Sequence, residues 1–460
     1  MKSFLKLSFL IITGFAFANI HLPAIFDDNM VLQRNAEVTI WGHADPAETI
    51  TLNADFLDKE YSATAKSDAT FKITFNTPAE GGPYIISLVG YNKVVLQNVM
   101  LGEVWLMSGQ SNMEMSAAWG IKDGDSEMAN ANYPYIRLFT VGKSAADCPQ
   151  TDIIGNWNIC STETAKNFSA VGYFFAQKLH SELVGVPVGV ICSAWGGSAA
   201  EIWTPKYIFD QQPDLAESFK TIQSSKNEYC PSNISVVYNA MIAPFNDFKI
   251  AGAAWYQGET NTANPNSYEK LLTSLIGSWR QNRAYKFPFY IIQIASFKGF
   301  GDATAQIKNI QRKVSQNVEN SGLVVISDYS MIDDIHPKEK KPVGIRLANL
   351  VLKDVYHKDL PAGFPTWKSL EFKGNKAILT LDFADGLHFK NKTSDQFEIA
   401  GSDKNFVKAK AKIIGNQIIL EAKSVKDPAL VRYNWSNDAF PDLFNKAGLP
   451  ASVYSNETIK

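Results

Sequence analysis

Apolar residues recur at every second position in several short runs between residues 20 and 100. Gly, Pro, Asp and Asn residues separate these runs at short intervals, as they do in the turns of antiparallel sheets. The pattern therefore predicts a small N-terminal β-sandwich over residues 19–100. Its clearest strands are residues 38–41, 49–52, 71–75 and 84–88.

The pattern changes after residue 100, where continuous apolar runs alternate with runs of helical spacing. Continuous apolar strands are buried on both faces, and the helices between them cover a parallel sheet. We therefore predict an α/β domain with a parallel sheet between helical layers over residues 101–360. The predicted strands are residues 104–107, 186–192, 251–256, 289–294 and 323–327, and helical spacing occurs within residues 174–183, 268–279, 307–318 and 343–351.

Alternation of apolar and polar residues returns near residue 366, most clearly at residues 377–381 and 417–420. This change predicts a C-terminal β region over residues 361–460. A chain of 460 residues is long enough for such a three-part organisation.

The first residues have the organisation of a signal peptide. Lys2 and Lys6 give a positive start, residues 7–17 are largely apolar, and Ala18 ends a small-x-small sequence. We predict a signal peptide over residues 1–18 and therefore an exported protein of the periplasm or the extracellular medium. A membrane anchor is the alternative, but the apolar run is too short to span a bilayer comfortably, and no later stretch is suited to spanning it.

Composition narrows the possible partners. The formal net charge is −2 and no basic run occurs, so we expect no nucleic-acid partner.

The four cysteines allow three sets of disulfide pairings. Cys148 and Cys160 flank a short polar loop and could pair, whereas Cys192 lies in an apolar strand and could simply pack there. The sequence has no CxxC, no HExxH and no Cys/His cluster, so we expect no metal.

Candidate chemistry lies in the turns after the predicted parallel strands, at the edge where open parallel sheets bind ligands. Ser111 follows the first strand at a helix start, where backbone N–H groups favour a developing oxyanion. Ser111 could instead be a helix N-cap, and Ser108 competes with it in the same turn. After the second strand, Gly196 and Gly197 allow backbone N–H groups to approach a ligand closely, although a plain turn would use the same residues.

Two further turns complete the set. After the third strand, Gln257 or Asn261 could donate a side-chain N–H to an oxyanion, and Glu259 could orient other groups, unless these residues only form a turn. After the fifth strand, His336 is alone among the six histidines in following a parallel strand with acids beside it. A nucleophilic serine needs such a base, and Asp333 is spaced to curl back to the imidazole. An exposed loop histidine is the alternative.

These segments resemble the sialate O-acetylesterase family within the SGNH hydrolases. The resemblance implies a flavodoxin-like SGNH three-layer sandwich, flanked here by the two β regions, and a serine esterase that needs no cofactor. The matching stretches are residues 102–113 (GEVWLMSGQSNM), 195–198 (WGGS), 255–261 (WYQGETN) and 334–338 (DIHPK), together with residues 32–34 (LQR) and 448–452 (GLPAS).

The resemblance also implies roles for individual residues. Ser111 would be the nucleophile and His336 its base, with Asp333 as the orienting acid and Asp334 as the adjacent alternative. The oxyanion hole would consist of Ser111, Gly197 and Gln257. The residues expected to contact the substrate are Gln110, Trp195, Glu259 and Asn261.

The implied substrate is an acetylated sugar, and the implied reaction is removal of O-acetyl groups from sialic acid. Acetylated xylan or another polysaccharide is the alternative substrate, because a fold does not fix a substrate. A non-catalytic carbohydrate-binding protein is a third hypothesis. Trp119, Trp195 and Trp203 lie near strand ends and could stack on sugar, or could be ordinary core aromatics.

Overall fold

The structure is a computed structural model that describes residues 19–224 and 228–457. The predicted signal peptide, residues 1–18, lies outside the described residues. Within the described part of the chain, no helix is both long enough and apolar enough to cross a membrane.

The strands before residue 90 are β1 (Val31–Gln33), β2 (Glu37–His43), β3 (Thr49–Ala54), β4 (Tyr61–Thr64), β5 (Thr70–Asn76) and β6 (Gly81–Val89). β2 pairs antiparallel with β5, and β3 pairs antiparallel with β4 and β6, whereas β1 pairs parallel with residues 100–102. Strand burial alternates, as in β5, because successive side chains of a strand point to opposite faces, and the inward side chains meet in one hydrophobic cluster. The four strands predicted by alternation fall within β2, β3, β5 and β6.

Strand β7 (Lys93–Gly109) joins this region to the parallel sheet. Its first half pairs antiparallel with β6, and its side chains alternate between exposed and buried. From Val99 onward every residue is buried, because the second half lies in the middle of a sheet covered on both faces. One continuous strand therefore crosses the boundary predicted near residue 100.

The parallel sheet confirms the predicted α/β fold class. Its strands besides β7 are β8 (Tyr133–Thr140), β9 (Trp157–Cys160), β10 (Val188–Ala194), β11 (Gly252–Tyr256), β12 (Phe289–Ile292) and β13 (Ser321–Val324). The strands lie in the order β13-β12-β11-β7-β10-β8, with β9 antiparallel at the edge. The five predicted parallel strands correspond to β7, β10, β11, β12 and β13, whereas β8 was not predicted.

Helices cover both faces of this sheet. The helices are α1 (Ser111–Glu114), α2 (Gly124–Ala129), α3 (Thr162–Asn167), α4 (Ala170–Glu182), α5 (Lys206–Gln211), α6 (Pro213–Gln223), α7 (Val236–Met241), α8 (Pro265–Arg283), α9 (Ala303–Asn317) and α10 (Lys340–Asp354). Trp105 and Met107 of β7 face a cluster that includes α4 and α10, and Val104 and Leu106 face the cluster that includes α8 and α9.

The C-terminal strands surround a hydrophobic cluster of their own. The segment before the last of these strands contacts the residue after β12 through Ser452, whose Oγ accepts a hydrogen bond from Gln293 Nε2 at 2.9 Å. The strands are β14 (Thr366–Lys373), β15 (Lys376–Asp382), β16 (His388–Phe389), β17 (Phe397–Ala400), β18 (Val407–Lys408), β19 (Lys410–Ile414), β20 (Gln417–Glu421), β21 (Leu430–Tyr433), β22 (Leu443–Phe444) and β23 (Tyr454–Ser455).

The suggested pairing of Cys148 with Cys160 is wrong, since both are free thiols. Cys160 ends β9 and is buried in the hydrophobic cluster of α4, whereas Cys148 lies exposed in its loop. The two side chains therefore occupy different environments. Cys192 is buried in β10, in agreement with a packing role.

Candidate active site

Ser111 follows a sharp turn at the carboxyl end of β7. Gly109 has φ +137°, and a Cβ on it would lie 2.2 Å from the carbonyl oxygen of Tyr256, so the turn requires glycine. The Gln110 N–H then donates to the same Tyr256 carbonyl at 3.0 Å. Ser111 begins α1, where its own N–H has no partner within the helix. The turn thus presents the Ser111 hydroxyl and N–H at the edge of the sheet.

The structure brings Ser111 and His336 together across 225 positions of sequence, with Ser111 Oγ 2.8 Å from His336 Nε2. The Asp334 carboxylate accepts a hydrogen bond from the His336 backbone N–H at 2.9 Å. The same carboxylate lies 3.9 Å from His336 Nδ1. Ser111, His336 and Asp334 therefore have the spatial arrangement of serine, base and acid found in enzymes that catalyse acyl transfer.

Asp333 is not placed as predicted. Its side chain is 81% exposed and forms an ion pair with Lys298, away from the imidazole. The tight turn here is closed by the Asp334 N–H, which donates to the Met331 carbonyl at 3.0 Å, and the two aspartate side chains in it contact different partners. Asp334, and not Asp333 as predicted from the spacing, therefore lies beside the imidazole of His336.

The environment of His336 favours its neutral form. Burial lowers its pKa below the usual value, and the positive charge of Lys340 lowers it further. Asp334 acts in the opposite direction and raises the pKa of His336. A neutral imidazole can accept a proton from Ser111, as a general base must.

Asn112 and Lys340 are functional candidates that the sequence patterns did not identify. Asn112 is fully buried beside Ser111, and its Nδ2 donates to Glu259 Oε1 at 2.7 Å and to the Ile335 carbonyl at 3.0 Å. Lys340 Nζ donates to Asn112 Oδ1 at 2.6 Å. In the sequence, only the adjacency of Asn112 to Ser111 and the closeness of Lys340 to His336 pointed to them.

Glu259 borders the cavity but is almost completely buried. Burial raises its pKa, while the Asn112 amide and the charge of Lys340 lower it. The Oε2 atom has no hydrogen-bond partner within the described residues. Glu259 therefore lies where it can orient Asn112, and its roles in orientation and substrate contact stay predictions.

Gln257 and Asn261 do not face the cavity, contrary to the roles predicted for them. Gln257 is fully buried, and its Nε2 donates to the Ser198 carbonyl at 3.1 Å and to Asn261 Oδ1 at 2.8 Å. Its Oε1 accepts from the Tyr268 hydroxyl at 2.9 Å. Asn261 Nδ2 donates in turn to Glu201 Oε2 at 2.9 Å. Both side-chain amides therefore form buried hydrogen bonds that connect the loop after β11 to the loop after β10.

The glycine turn after β10 lies against Ser111. A Cβ on Gly196 would be 3.3 Å from Ser111 Cβ, so the two backbones approach closely. The Gly196 N–H donates to Glu114 Oε2 at 2.7 Å, and Lys143 Nζ pairs with Glu114 Oε1 at 2.6 Å. Gly197 lines the cavity next to this pair and has φ +75°. Gly197 is therefore positioned where the oxyanion prediction placed it, and its role as a donor stays a prediction.

A cavity of about 770 Å³ opens above Ser111 and His336. Its rim includes Gln110 and three aromatic residues, Trp119, Tyr229 and Phe300. Half of the Trp119 side chain is exposed, as a surface for sugar stacking would be. The cavity is large enough for a sugar and its acetyl group.

The other two tryptophans have different positions. Trp195 does not line the cavity; its Nε1 donates to the Tyr229 carbonyl at 2.7 Å and so supports the cavity wall. Trp203 is fully buried, and its ring packs edge-on against Trp255 at 6.1 Å. Trp203 is therefore a core residue.

A serine hydrogen-bonded to a histidine at the carboxyl edge of a parallel sheet defines an α/β serine hydrolase. The chain belongs to the sialic acid-specific acetylesterase family of carbohydrate esterases, whose family model matches residues 101–353. The resemblance drawn from the sequence motifs is thereby confirmed, and the protein is an esterase.

Individual relatives agree with this family. The chain is 28% identical to the sialate O-acetylesterases of Pongo abelii and Homo sapiens over 436 residues, which cover 84% of this chain and 80% of each relative. The crystal structure of a carbohydrate acetylesterase from Xanthomonas citri matches with a TM-score of 0.86 and 33% identity, over 96% of this chain and 100% of that one.

Proposed function

We propose that the protein is a serine esterase that hydrolyses O-acetyl groups of sialic acid through an acetyl-enzyme. The observation that carries this proposal is the 2.8 Å contact between Ser111 Oγ and His336 Nε2 at the floor of the cavity. The specificity for sialic acid is supported by the family and by the sialate O-acetylesterases to which the chain is similar.

The reaction begins when Ser111 Oγ attacks the acetyl carbonyl carbon and His336 Nε2 takes the hydroxyl proton. The carbonyl oxygen becomes an oxyanion, which the N–H groups of Ser111 and Gly197 stabilise. The tetrahedral intermediate collapses, the bond to the sugar oxygen breaks, and His336 gives its proton to that oxygen. Ser111 is left acetylated.

Water then attacks the acetyl-enzyme while His336 accepts one of its protons. Collapse of the second intermediate releases acetate, and the proton returns to Ser111 Oγ. Asp334 stabilises the imidazolium formed in each half-reaction, because its carboxylate faces His336 Nδ1. Each of these steps uses protein groups and water and requires no metal or cofactor.

Sugar binding is assigned to the aromatic rim of the cavity. Trp119 and Phe300 border the cavity and offer flat apolar surfaces on which sugar rings stack. Gln110 lines the same cavity, and its Oε1 is held 3.4 Å from the Gly258 N–H, so its amide is oriented for a polar contact with substrate.

We extend the proposal to the organisation and location of the chain. The catalytic domain comprises residues 101–360, with an N-terminal β-sandwich over residues 19–100 and a C-terminal β region over residues 361–460. The basic and apolar pattern of residues 1–18 supports export to the periplasm or the medium. N-terminal sequencing of protein recovered outside the cytoplasm tests this: a start at Asn19 supports cleavage after Ala18, and a start at Met1 contradicts it.

The test of function is acetate release from 9-O-acetylated sialic acid and from acetylated xylan. It compares the wild type with Ser111→Ala and with Ser108→Ala, a matched control three residues away whose hydroxyl is buried and has no hydrogen-bond partner among the residues that the structure describes. We expect release from sialic acid by the wild type and the control, and loss of at least about 10³-fold in Ser111→Ala.

The outcomes separate the hypotheses. Release from xylan alone would keep the mechanism and replace the substrate by an acetylated polysaccharide. Binding of either sugar without Ser111-dependent release would favour a carbohydrate-binding protein. Equal rates in Ser111→Ala and the wild type would contradict the proposed nucleophile.

A further inference from the structure

Lys340 is a buried lysine that contacts Asn112, the residue after Ser111. It occupies the first position of α10 and is only 1% exposed. Burial of a lysine is unfavourable unless partners compensate for the lost hydration. Its Nζ donates to Asn112 Oδ1 at 2.6 Å and lies 5.4 Å from the centre of the Tyr256 ring. The ammonium group is thus held by the residue that adjoins Ser111.

Asn112 transmits this contact to the catalytic loops. Its oxygen accepts from Lys340, and its Nδ2 donates to Glu259 Oε1 and to the Ile335 carbonyl. The amide therefore joins the start of α10, the loop after β11 and the residue before His336. Removal of the lysine would leave the Asn112 oxygen without this donor in a buried site.

The charge of Lys340 also acts on His336. Its positive charge lowers the pKa of His336, second in size only to burial. Burial lowers the pKa of Lys340 itself to about 7, against the attraction of Glu259 and Asp334. Lys340 is therefore charged in mildly acidic solution, which is where a histidine with a lowered pKa titrates.

Charged groups on several elements act on His336 or Lys340, or border the same cavity. Asp334 favours protonation of the histidine and Lys340 opposes it. Glu259 after β11 and Asp334 favour the charged form of Lys340. Glu114 on α1 lines the cavity but is committed to the Gly196 N–H and to Lys143, and Asp333 on the loop is paired with exposed Lys298.

We propose that Lys340 is a positioning residue for the ester hydrolysis proposed above. It holds the Asn112 amide that fixes the His336 loop, and its charge keeps His336 in the basic form in mildly acidic solution. This inference rests on the proposed function, because His336 must act as the base.

The test measures kcat/KM for 4-nitrophenyl acetate from acidic to neutral pH. Lys340→Gln removes the charge and keeps an N–H donor, whereas Lys340→Met removes both. Lys341→Met is the matched control, because Lys341 is the next residue, its side chain is 45% exposed, and it pairs with Glu127. An activated ester reports on the catalytic groups without requiring sugar recognition.

We expect the acidic limb of the profile to move upward by about 0.5–1 pH unit in both Lys340 variants, because His336 loses a repelling charge. Lys340→Met should also lower the plateau by about tenfold, because the Asn112 amide loses its donor. Lys341→Met should match the wild type in both respects. A purely structural role would lower the plateau without moving the limb.

Glu259→Gln provides a second route if the Lys340 variants do not fold. Loss of the Glu259 charge lowers the pKa of Lys340, so Lys340 becomes neutral and the acidic limb moves upward again. A direct effect of removing a carboxylate near His336 would move the limb downward. An unmoved limb in folded Lys340→Gln, or a downward shift in Glu259→Gln, overturns the inference. Absence of any wild-type esterase activity instead contradicts the proposed function.

Discussion

Asn112 donates a hydrogen bond to the main-chain carbonyl of Ile335 at 3.0 Å and so ties the turn that carries Ser111 to the loop that carries His336. The nucleophile follows the first parallel strand in sequence, β7, and the base follows the last, β13. Loops alone would not hold their atoms within 2.8 Å. The geometry of the pair therefore depends on a buried amide that touches neither reacting atom.

Asn112→Ala should impair both activity and stability. The substitution leaves Glu259 and Lys340 without their shared partner, so we expect a loss of about 2–3 kcal/mol in the free energy of unfolding. Loosening of the His336 loop should lower kcat/KM by about 10²-fold. Asn130→Ala is the control, because Asn130 is exposed at the end of α2 and its side-chain amide donates to the Ser126 carbonyl at 3.1 Å. Wild-type kinetics in folded Asn112→Ala would contradict this account of the loop.

The two neighbouring aspartates should differ in effect. Asp334→Ala removes the carboxylate beside His336 Nδ1 and should lower kcat/KM by about 10²-fold or more. Asp333→Ala removes an exposed ion pair with Lys298 and should change kcat/KM by less than about threefold. Steady-state kinetics of the two variants decide the matter, and a larger loss in Asp333→Ala would reverse the assignment.

Gln257→Ala should act mainly on stability. The amide is fully buried and bonded to Ser198, Asn261 and Tyr268, so its removal should reduce the free energy of unfolding by about 2–4 kcal/mol. Because the amide does not reach the cavity, kcat/KM of the folded protein should fall by less than about tenfold. Urea unfolding and kinetics check the two effects separately. A loss of 10²–10³-fold without loss of stability is the result that an oxyanion donor would give.

Lys308 should impose a pH dependence on stability. It is fully buried on α9, its Nζ donates to Ser296 Oγ at 2.6 Å, and burial lowers its pKa to about 7 from 10.5. The unfolded chain binds more protons between these two pKa values, so the free energy of unfolding rises with pH across that window and is lowest below it. The contribution is about 1.4 kcal/mol per pH unit at most.

Lys308→Met should therefore stabilise the protein at pH 7 by about 2–4 kcal/mol and reduce the rise in stability toward alkaline pH. Lys313→Met on the same helix is the control, since Lys313 is partly exposed beside Glu269. Chemical unfolding at neutral and alkaline pH measures both quantities. An unchanged slope in Lys308→Met would show that Lys308 is not the titrating group.

The strands of the sheet were predictable where the chain is apolar without interruption, as in β10 and β11, because burial on both faces demands such runs. Strand β8 escaped prediction because it begins at Tyr133-Pro134 and buries Arg137, whose guanidinium reaches Asn98 Oδ1 at 3.2 Å. A buried arginine with a distant partner leaves no apolar pattern in the sequence. Tertiary contacts, rather than local preference, make this segment a strand.

The sequence predicted which strand ends carry the candidate serine and histidine, but not which neighbouring side chains contact them. Ser111 and His336 follow strands of one sheet, and the fold brings them together. The spacing rule selected Asp333, but the direction of a side chain in a tight turn depends on the turn itself. Lys340 could not be recognised, because its burial depends on Asn112 and Glu259, which lie 228 and 81 positions away in sequence.

Covalent labelling of Ser111 by a fluorophosphonate tests the central claim most directly. The reagent phosphonylates a serine only when a neighbouring base activates it. Peptide mapping should locate the label on Ser111 in the wild type and in Ser108→Ala, with no labelling in Ser111→Ala and slow labelling in His336→Ala. Labelling of Ser108, or equal labelling of wild type and Ser111→Ala, would contradict the assignment of Ser111 as the nucleophile.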